Sequence, residues 1–500
     1  MKRIVLYSEE PSLQEDRGAL ALEESCRLIE SKGAEISIAL WRKNIGRIPQ
    51  IFSWLKSQAG LALVDVEPWN PAATERIADS LIDYFRYLKT VIEPIGIKIE
   101  PPESELFEIT KKLDQAADIS LPDKLRLLGI ITESVFIGPR VFHLDVTNDC
   151  NTNCLYCWFH SPLSRERVDA DLLDEKWKKT YLNVDIAKSL IKDLARLGTK
   201  EDLVLSGKGE PILHPKIVEI VEEAKDNDIF VTLFSNGVEL SSHLQDAIIK
   251  NRIDLLYVSV SAATYKTYIK LHPNRPKDEF GHIVKNVAEF IGKKKKLGAT
   301  RPHVVWVMVI CYANAHEILK FYELGKSLGV DLVRFQLMAA EPYNRKLAIR
   351  AEQFKTVVEQ IRLAKKIEKK GGPKIVENIE VQLRELEAGD IDWTKGYFDT
   401  HSCTAGWTFS RLWAGGEIAF CCSPKVIANL KDVSFYDLWH SEQYRFYRRA
   451  AKYIQSHRNV KFENAALLYN EHCHRCPNYE QITFIEEIAK KAGVERFLGV

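Results

Sequence analysis

The sequence predicts an α/β fold: an open, partial barrel of six strand–helix units, preceded by a small α/β region and followed by a cysteine-rich extension. Two observations lead to this prediction. Between residues 142 and 337, short apolar runs alternate with amphipathic stretches, a pattern typical of parallel strands connected by helices. Eight of the ten cysteines fall into three groups, at 150–157, 403–422 and 473–476, and such grouping indicates metal binding or catalysis.

The composition is that of a globular protein with several domains. Apolar residues make up 46% of the 500 residues and charged residues 28%, and 70 Lys and Arg nearly balance 69 Asp and Glu. This balance creates no overall field that would attract nucleic acid or an anionic membrane, so neither is an expected partner. No apolar run approaches the ~18 residues that a membrane span needs. The N-terminus lacks the pattern of a signal peptide, and we therefore expect a cytoplasmic protein.

The strand–helix pattern occupies the second of four predicted regions. Helical stretches at 184–197, 214–226 and 315–328 carry apolar residues three or four positions apart. The predicted strands are 142–147, 202–206, 230–234, 255–260, 304–310 and 332–337. The predicted regions are an N-terminal α/β region (1–130), the strand–helix core (135–345), a helical linker (346–398) and the cysteine-rich extension (399–500).

The N-terminal region has the pattern of a small α/β domain. Strand-like runs at 3–7 and 35–39 flank a helical stretch at 14–31, in which Cys26 is predicted to be a core residue. The region contains no glycine-rich phosphate loop and no group of metal-ligating residues. Its role is therefore not indicated by the sequence.

The first cysteine group follows the first predicted strand. Cys150, Cys154 and Cys157 lie in the segment DVTNDCNTNCLYCW, which enters a loop at the carboxyl end of that strand, where ligands of parallel sheets bind. Three thiolates at this spacing can hold one [4Fe–4S] cluster and leave one iron able to bind another molecule. The alternative is a zinc site, which needs a fourth ligand, and His160 is near enough in sequence to serve.

Three more loops follow the next predicted strands. The sequence reads SGKGEP at 206–211, FSNG at 234–237 and SVS at 259–261. The glycines of the first of these loops allow close approach of backbone to a ligand, and the proline stiffens the exit from the strand. Together with the three-cysteine loop, in this order on successive strands, they resemble the radical S-adenosylmethionine (SAM) superfamily over about residues 142–337.

This resemblance implies a role for each loop. The open iron of the cluster would chelate the methionine part of SAM, and the aromatic residue before the third cysteine would sit beside the adenine. Lys208 is inserted in the glycine-rich loop, and Ser261 stands where relatives often carry aspartate. The implied catalytic cluster ligands are Cys150, Cys154 and Cys157, and the implied SAM-binding residues are Tyr156, Gly207, Gly209, Glu210, Pro211, Ser235, Asn236, Ser259 and Ser261.

The resemblance also implies an activity. Radical SAM enzymes reductively cleave SAM at the cluster, and the resulting 5′-deoxyadenosyl radical abstracts a hydrogen atom from a substrate. Such an enzyme is oxidoreductase-like and needs an external one-electron reductant such as flavodoxin or ferredoxin.

The second cysteine set lies near the C-terminus. Cys403, Cys421, Cys473 and Cys476, with Cys422 as the alternative to Cys421, resemble the auxiliary-cluster region of radical SAM enzymes called the SPASM domain and its shorter twitch relative. No cysteine follows Cys476, which predicts one auxiliary [4Fe–4S] cluster rather than two. The alternative is a four-cysteine zinc site, because spacing does not separate zinc from iron at a closed site.

Three functions compete for this chain. The first is a radical enzyme acting on a peptide or protein side chain, the commonest assignment where a SPASM-like region is present. The second is radical oxidation or rearrangement of a sugar or other small metabolite. The third, a non-catalytic iron–sulfur scaffold or electron carrier, is disfavoured by a cluster with an open iron beside ligand loops. Neither substrate identity nor the fate of SAM is indicated by the sequence.

Overall fold

The computed structural model of the chain forms two compact units, one of Met1–Gly138 with Glu480–Val500 and one of Pro139–Tyr479. The predicted helix at 14–31, with Cys26, lies outside the described residues. The residues described are 2–6, 36–37, 61–66 and 108–499, apart from 110, 114, 164–173, 274, 341–342, 380–381 and 384–393.

The described strands belong to two sheets. In chain order they are β1 (Lys2–Leu6), β2 (Ile36–Ser37), β3 (Leu61–Val66), β4 (Val141–Asp145), β5 (Asp202–Ser206), β6 (Val231–Ser235), β7 (Leu255–Ser259), β8 (His303–Ile310), β9 (Leu332–Leu337), β10 (Lys374–Val376), β11 (Phe409–Leu412), β12 (Glu417–Ala419) and β13 (Val426–Asn429).

The described α-helices connect and cover these strands. In chain order they are α1 (Leu121–Thr132), α2 (Glu175–Lys178), α3 (Val184–Arg196), α4 (Ile217–Asp226), α5 (Ser242–Lys250), α6 (Tyr265–Leu271), α7 (Glu279–Lys296), α8 (Ile318–Leu328), α9 (Ala351–Glu368), α10 (Ala405–Thr408), α11 (Phe435–His440), α12 (Glu442–Lys452), α13 (Ile454–His457) and α14 (Tyr479–Ala492).

The first unit contains a parallel sheet in the order β2-β1-β3. β1 and β2 correspond to the predicted strands at 3–7 and 35–39, and β3 was not predicted. α1 begins after Ser120, whose side-chain oxygen accepts a hydrogen bond from the backbone N–H of Asp123.

The second unit is built on six parallel strands, β4 to β9, which lie side by side in chain order. Each falls within two residues of its predicted position, and the predicted α/β class with a parallel sheet is confirmed. The connecting helices bury one apolar face; α3, for example, buries Ala187, Leu190, Ile191 and Leu194. β8 buries six of its eight residues, as expected for a strand covered on both faces.

The sheet of the second unit extends beyond the six predicted strands at both edges. β10 adds to β9 in parallel, and β11 adds to β4 in parallel. β12 and β13 continue from β11 as antiparallel strands, so that ten strands form one sheet. The predicted linker and the predicted cysteine-rich extension therefore both contribute strands to the sheet of the core.

This topology gathers loops at one edge. The carboxyl ends of β4, β5, β6 and β7 meet there because the strands are adjacent and parallel. Within the part of the chain that the structure describes, no helix is both long and apolar enough to cross a membrane.

Candidate functional site

The three-cysteine loop begins directly after β4 and supplies hydrogen bonds to its own sulfurs. The hydroxyl of Thr152 lies between two thiols, 3.4 Å from Cys150 Sγ and 3.7 Å from Cys154 Sγ. The backbone N–H groups of Phe159 and His160 donate to Cys157 Sγ at 3.4 and 3.3 Å. Backbone N–H donors stabilise a thiolate over a thiol, and the Thr152 hydroxyl can donate its one hydrogen to either neighbouring sulfur. The loop is therefore suited to hold metal-bound sulfur.

The electrostatics around Cys150 and Cys154 favour a bound, positively charged metal centre over free thiolates. Burial raises the pKa of Cys150, and the neighbouring Cys154, Glu210 and Cys157 raise it further. Burial likewise raises the pKa of Cys154. Without metal these sulfurs are therefore protonated at neutral pH, and an iron–sulfur cluster must displace their protons when it binds.

The glycine-rich loop after β5 packs directly on the three-cysteine loop. The backbone N–H of Glu210 donates to the carbonyl of Asp149 at 2.7 Å, one residue before Cys150. A Cβ on Gly209 would lie 2.7 Å from the carbonyl oxygen of Thr147, and a Cβ on Gly207, whose φ is +129°, would collide with Asp145. Only glycine allows this approach, and it brings the predicted ligand loop against the cysteines.

Glu210 turns its carboxylate inward at this junction. Its side chain accepts hydrogen bonds from the backbone N–H of Asn236 at 2.7 Å and of Ile212 at 3.5 Å. Glu210 is only 3% exposed, and burial raises its pKa to about 7. Pro211 follows at the first position of a short 3₁₀ turn, where its missing N–H costs no hydrogen bond.

The loop after β6 also contacts the three-cysteine loop. Asn236 donates from its side chain to Asn151 Oδ1 at 2.6 Å, and Ser235 Oγ accepts from the backbone N–H of Gly237 at 2.9 Å. Asn151 Nδ2 and Asn153 Oδ1 are buried and have no hydrogen-bond partner among the described residues. These two asparagines were not predicted as site residues. The feature of the sequence that could have indicated them is their position between Cys150 and Cys154.

The loop after β7 reaches Tyr156. Ser261 is fully buried with φ +56°, accepts from the backbone N–H of Val309 at 3.1 Å and is hydrogen-bonded to the Tyr156 hydroxyl. Tyr156 packs against an apolar cluster that includes Leu271 and Met338. The structure therefore brings Ser261 and Tyr156 together, whereas Ser259 ends β7 half-buried.

A buried polar cluster flanks Tyr156. The ring of His272 lies 6.2 Å from that of Tyr156 and stacks at 4.1 Å on Tyr268. The Tyr268 hydroxyl donates to Glu279 at 2.6 Å, and Arg275 also pairs with Glu279. Burial lowers the pKa of His272 to about 4, so this imidazole is neutral at physiological pH.

His160 is engaged elsewhere. Its ring bonds to the backbone of Lys208, at 2.9 Å, and of Asn148. The alternative zinc site at the first group therefore lacks a free imidazole at this position. Within the described residues, no group of three or more His, Cys, Asp and Glu side chains has the arrangement of a single-ion metal site.

The second cysteine set lines one cavity. Its walls include Cys403, Cys421, Cys473 and Cys476, whereas Cys422 is not part of the lining. The backbone N–H of Cys422 donates to Asn478 Oδ1 at 3.0 Å, and its side chain packs on a different apolar cluster. Of the two adjacent cysteines, the one that shares a cavity with the other three is Cys421.

The cavity has further polar walls that the sequence did not predict. Lys425 is 2% exposed, and its ammonium lies 3.7 Å from Cys421 Sγ and 3.6 Å from Cys473 Sγ. The hydroxyl of Ser423 is buried and has no hydrogen-bond partner among the described residues. Burial raises the pKa of Cys403 to about 12. Four thiols with donor groups around them fit a closed, anionic metal centre.

A buried ion pair joins the strands beneath the two sites. Arg411 on β11 contacts Asp145, the last residue of β4, through Nε at 3.0 and 3.1 Å and through Nη2 at 2.7 Å. Nearby, the inserted Lys208 places its ammonium 3.6 Å from the ring of Trp413. Lys208, the residue inserted in the glycine-rich loop, thus contacts the cysteine-rich extension directly after β11.

Two family matches coincide with these sites. Residues 144–325 match the Radical SAM superfamily, and residues 403–477 match SPASM, an iron–sulfur cluster-binding domain. The first match covers the three-cysteine loop and the loops after β5, β6 and β7. The second match covers all four cysteines of the cavity and favours iron over the zinc alternative there.

Individual proteins resemble the chain more distantly. The AdoMet-dependent heme synthase of Methanosarcina barkeri is 29% identical over 196 residues, which cover 38% of this chain and 48% of that protein. The chain thus spans about half the length of this relative. The PqqA peptide cyclase of Gluconobacter oxydans is 21% identical over 317 residues, 60% of this chain and 76% of that protein. The crystal structure of Streptococcus suis SuiB bound to S-adenosylmethionine is 13% identical, with TM-score 0.49, and covers 78% of this chain and 87% of that chain.

Proposed function

This chain belongs to the radical SAM superfamily and carries a C-terminal SPASM domain, and from this premise we propose that it cleaves SAM reductively and abstracts a hydrogen atom from a peptide or protein side chain. The observation that supports the proposal most directly is the junction of three loops. Two hydrogen bonds connect the loops after β5 and β6 to the loop that carries the three cysteines. The Glu210 N–H donates to the Asp149 carbonyl, and the Asn236 side chain donates to Asn151.

The proposed cluster ligands are Cys150, Cys154 and Cys157. When bound, the cluster and SAM supply a 5′-deoxyadenosyl radical as the hydrogen-abstracting species. The chain's own contribution is to offer hydrogen bonds to cluster-bound sulfurs, from the Thr152 hydroxyl and from the two backbone N–H groups that point at Cys157.

The proposed SAM-binding residues act by position and charge. The carboxylate of Glu210 is held by two backbone N–H groups at the junction, where it can face the ammonium of the methionine part. Gly207, Gly209 and Pro211 set the path of that loop. The remaining proposed contacts come from Tyr156, Ser235, Asn236, Ser259 and Ser261, to which the buried free amide atoms of Asn151 and Asn153 are added.

The proposed auxiliary [4Fe–4S] cluster is ligated by Cys403, Cys421, Cys473 and Cys476. These four thiols share one cavity, which supports full ligation by protein. A fully ligated cluster can accept an electron or order the surrounding chain, but it has no open iron for SAM. We therefore assign SAM cleavage to the first site alone.

The substrate class rests on a relative. A match to a protein named PqqA peptide cyclase covers 60% of this chain, extending beyond the radical SAM region, and it favours a peptide substrate. The match to a heme synthase favours the second candidate, a small metabolite, but covers only 38% of the chain. For either substrate, the proposed electron source is flavodoxin or ferredoxin in the cytoplasm, where thiols stay reduced.

The proposal is tested by SAM cleavage. The anaerobically reconstituted protein with SAM and dithionite is expected to form 5′-deoxyadenosine, measured by liquid chromatography. The variant with Cys150, Cys154 and Cys157 replaced by alanine should form none, whereas a Cys422→Ala variant should retain the activity. If the wild-type protein with its full iron content forms no 5′-deoxyadenosine, the proposed function is wrong.

The substrate class is tested by isotope transfer. An extract of cells grown in deuterated medium is separated into a macromolecular and a small-molecule fraction, and each is added to the reaction. Deuterium in 5′-deoxyadenosine from the macromolecular fraction, lost after protease treatment, supports a peptide. Deuterium from the small-molecule fraction alone contradicts the peptide assignment and supports the metabolite.

A further inference from the structure

Lys425 is a buried cation that contacts thiols in the cavity lined by the second cysteine set. Only 2% of its surface is exposed, and its ammonium lies within 3.7 Å of Cys421 Sγ and 3.6 Å of Cys473 Sγ. No carboxylate of the described residues forms an ion pair with it, and the side chains that contact its ammonium are cysteines. Lys294 is also buried, but its ammonium pairs with Asp331 at 3.2 Å. Lys425 therefore needs a different source of negative charge.

The backbone holds Lys425 toward the cavity. The N–H of Phe420 donates to the carbonyl of Lys425 at 2.9 Å, and the N–H of Lys425 donates to the carbonyl of Ser423 at 2.7 Å. This closed turn carries Cys421 and leads directly into β13. Because both bonds involve the backbone, the position of the lysine relative to Cys421 does not depend on its own side chain.

A buried ammonium is costly without a compensating negative charge. Four neutral thiols do not supply that charge, but four thiolates around an iron–sulfur cluster do, and the reduced cluster carries one more negative charge than the oxidised one. A cation beside the ligand sulfurs therefore stabilises the reduced state more than the oxidised state. Hydrogen bonds and charges near the sulfurs are known means by which proteins set the potential of such a cluster.

We propose that Lys425 is a positioning residue of the auxiliary cluster, which donates hydrogen bonds to the sulfurs of Cys421 and Cys473 and raises the reduction potential of the cluster. This inference rests on the proposed auxiliary cluster. It adds to that proposal that the centre is tuned to take up one electron, which an unperturbed structural centre would not require.

The potential is measured in a background with one cluster. The background protein is the full chain with Cys150, Cys154 and Cys157 replaced by alanine, which leaves the auxiliary cluster as the remaining cluster. Its reduction is followed by electron paramagnetic resonance while the solution potential is set with redox mediators. In Lys425→Gln the ratio of reduced to oxidised cluster at a fixed potential is expected to fall tenfold or more, which corresponds to about 59 mV for one electron. Lys425→Arg should restore most of the ratio because the cation remains.

The matched control is Lys431→Gln, which removes an exposed lysine of the same region. Its ratio should match that of the background protein. If Lys425→Gln keeps its iron and its ratio is unchanged, Lys425 does not tune the cluster, while the auxiliary cluster itself stands. If the background protein holds zinc and no iron, the auxiliary cluster is wrong, and the role of Lys425 is wrong with it.

A second measurement does not depend on whether Lys425→Gln keeps its cluster. The background protein is labelled with nitrogen-15 at lysine Nζ alone, and electron spin echo modulation of the reduced cluster is recorded. A nitrogen-15 coupling that disappears in Lys425→Arg is expected, since the labelled nitrogen lies beside two ligand sulfurs. Absence of the coupling in the labelled background protein overturns the proposal.

Discussion

Gly209 illustrates how strongly single residues constrain the first site. A Cβ there would lie 2.7 Å from the Thr147 carbonyl oxygen and would meet the backbone of Asp149 closer still. Backbone cannot move aside as a flexible side chain would, so Gly209→Ala is expected to separate the glycine-rich loop from the three-cysteine loop. We expect a loss of about 1–3 kcal/mol in the free energy of unfolding, measured in urea, and a loss of iron from the first cluster.

The matched control is Gly281→Ala in α7, where an added Cβ meets no heavy atom within 4 Å. An alanine in a helix is favoured over glycine by roughly 0.5–1 kcal/mol, so this variant should be slightly more stable and keep its iron. Equal destabilisation by the two substitutions would contradict the packing role given to Gly209.

Glu210 predicts a pH dependence of stability. Burial raises its pKa to about 7 in the folded chain, above its ordinary value of 4.5, so the folded state holds a proton that the unfolded state releases. The stabilisation by this proton is complete below pH 4.5 and is lost as the pH rises through about 7. Relative to Glu210→Gln, the free energy of unfolding of the metal-free protein should fall by about 2–3 kcal/mol between about pH 5 and pH 8.

This dependence is checked by urea unfolding of both proteins under reducing conditions. A constant difference between wild type and Glu210→Gln over this range would mean that the carboxyl does not titrate with a raised pKa.

At the residue scale, the proposed ligands could be predicted from the sequence more readily than the residues around them. The cysteines and the glycine-rich loop form patterns with fixed spacing, and these could be recognised. Lys425 is a single lysine in a turn, and lysines in turns are ordinarily exposed, so the sequence gives no sign that this one is buried. Its ammonium contacts Cys473, a residue 48 positions later in the chain, and no local pattern predicts such a contact.

At the scale of elements, β11 is fixed to β4 by a buried charge pair. Asp145 is fully buried, and the side chain of Arg411 is 11% exposed. Removing one partner leaves the other charge buried without compensation, so Asp145→Asn and Arg411→Met should each lower the free energy of unfolding by about 3–5 kcal/mol. Urea unfolding monitored by circular dichroism provides the measurement.

The double variant distinguishes a paired charge from general disruption. Asp145→Asn with Arg411→Met leaves no unpaired charge, so its loss should be clearly smaller than the sum of the two single losses. Additive losses would contradict the coupling of β4 and β11 through this pair.

The six core strands were predictable and the four added strands were not. β4 to β9 are apolar runs of five to eight residues with helical patterns between them, which is a strong signal. β10 and β12 have only three residues each, and β11 has four. β10 and β11 join edges of a sheet whose strands lie far away in the sequence, and runs this short carry too little periodicity to be recognised.

At the scale of the whole molecule, the two cysteine sites predict two separable iron pools. Two [4Fe–4S] clusters require about eight irons per chain, and removal of either ligand set should leave about four. The double variant Cys473→Ala, Cys476→Ala is expected to lose the auxiliary iron and keep the first cluster, as measured by iron, sulfide and zinc analysis.

The adjacent cysteines provide the control. Cys421 lines the cavity with the other three thiols and Cys422 does not. Cys421→Ala should therefore lose the auxiliary iron, whereas Cys422→Ala should retain it. Loss of zinc in place of iron, or the reverse order of the two variants, would contradict the ligand assignment.

The pairing of β11 with β4 has a consequence for folding while the chain is being synthesised on the ribosome. Asp145 and Arg411 are 266 residues apart, so β4 emerges long before the strand that covers its outer edge. At about 5–20 residues per second, this delay lasts roughly 13 to 53 seconds. Throughout it, the backbone groups along that edge of β4 are open to pairing with a neighbouring nascent chain. The yield of native protein is therefore expected to depend on chaperones that shield this edge during synthesis.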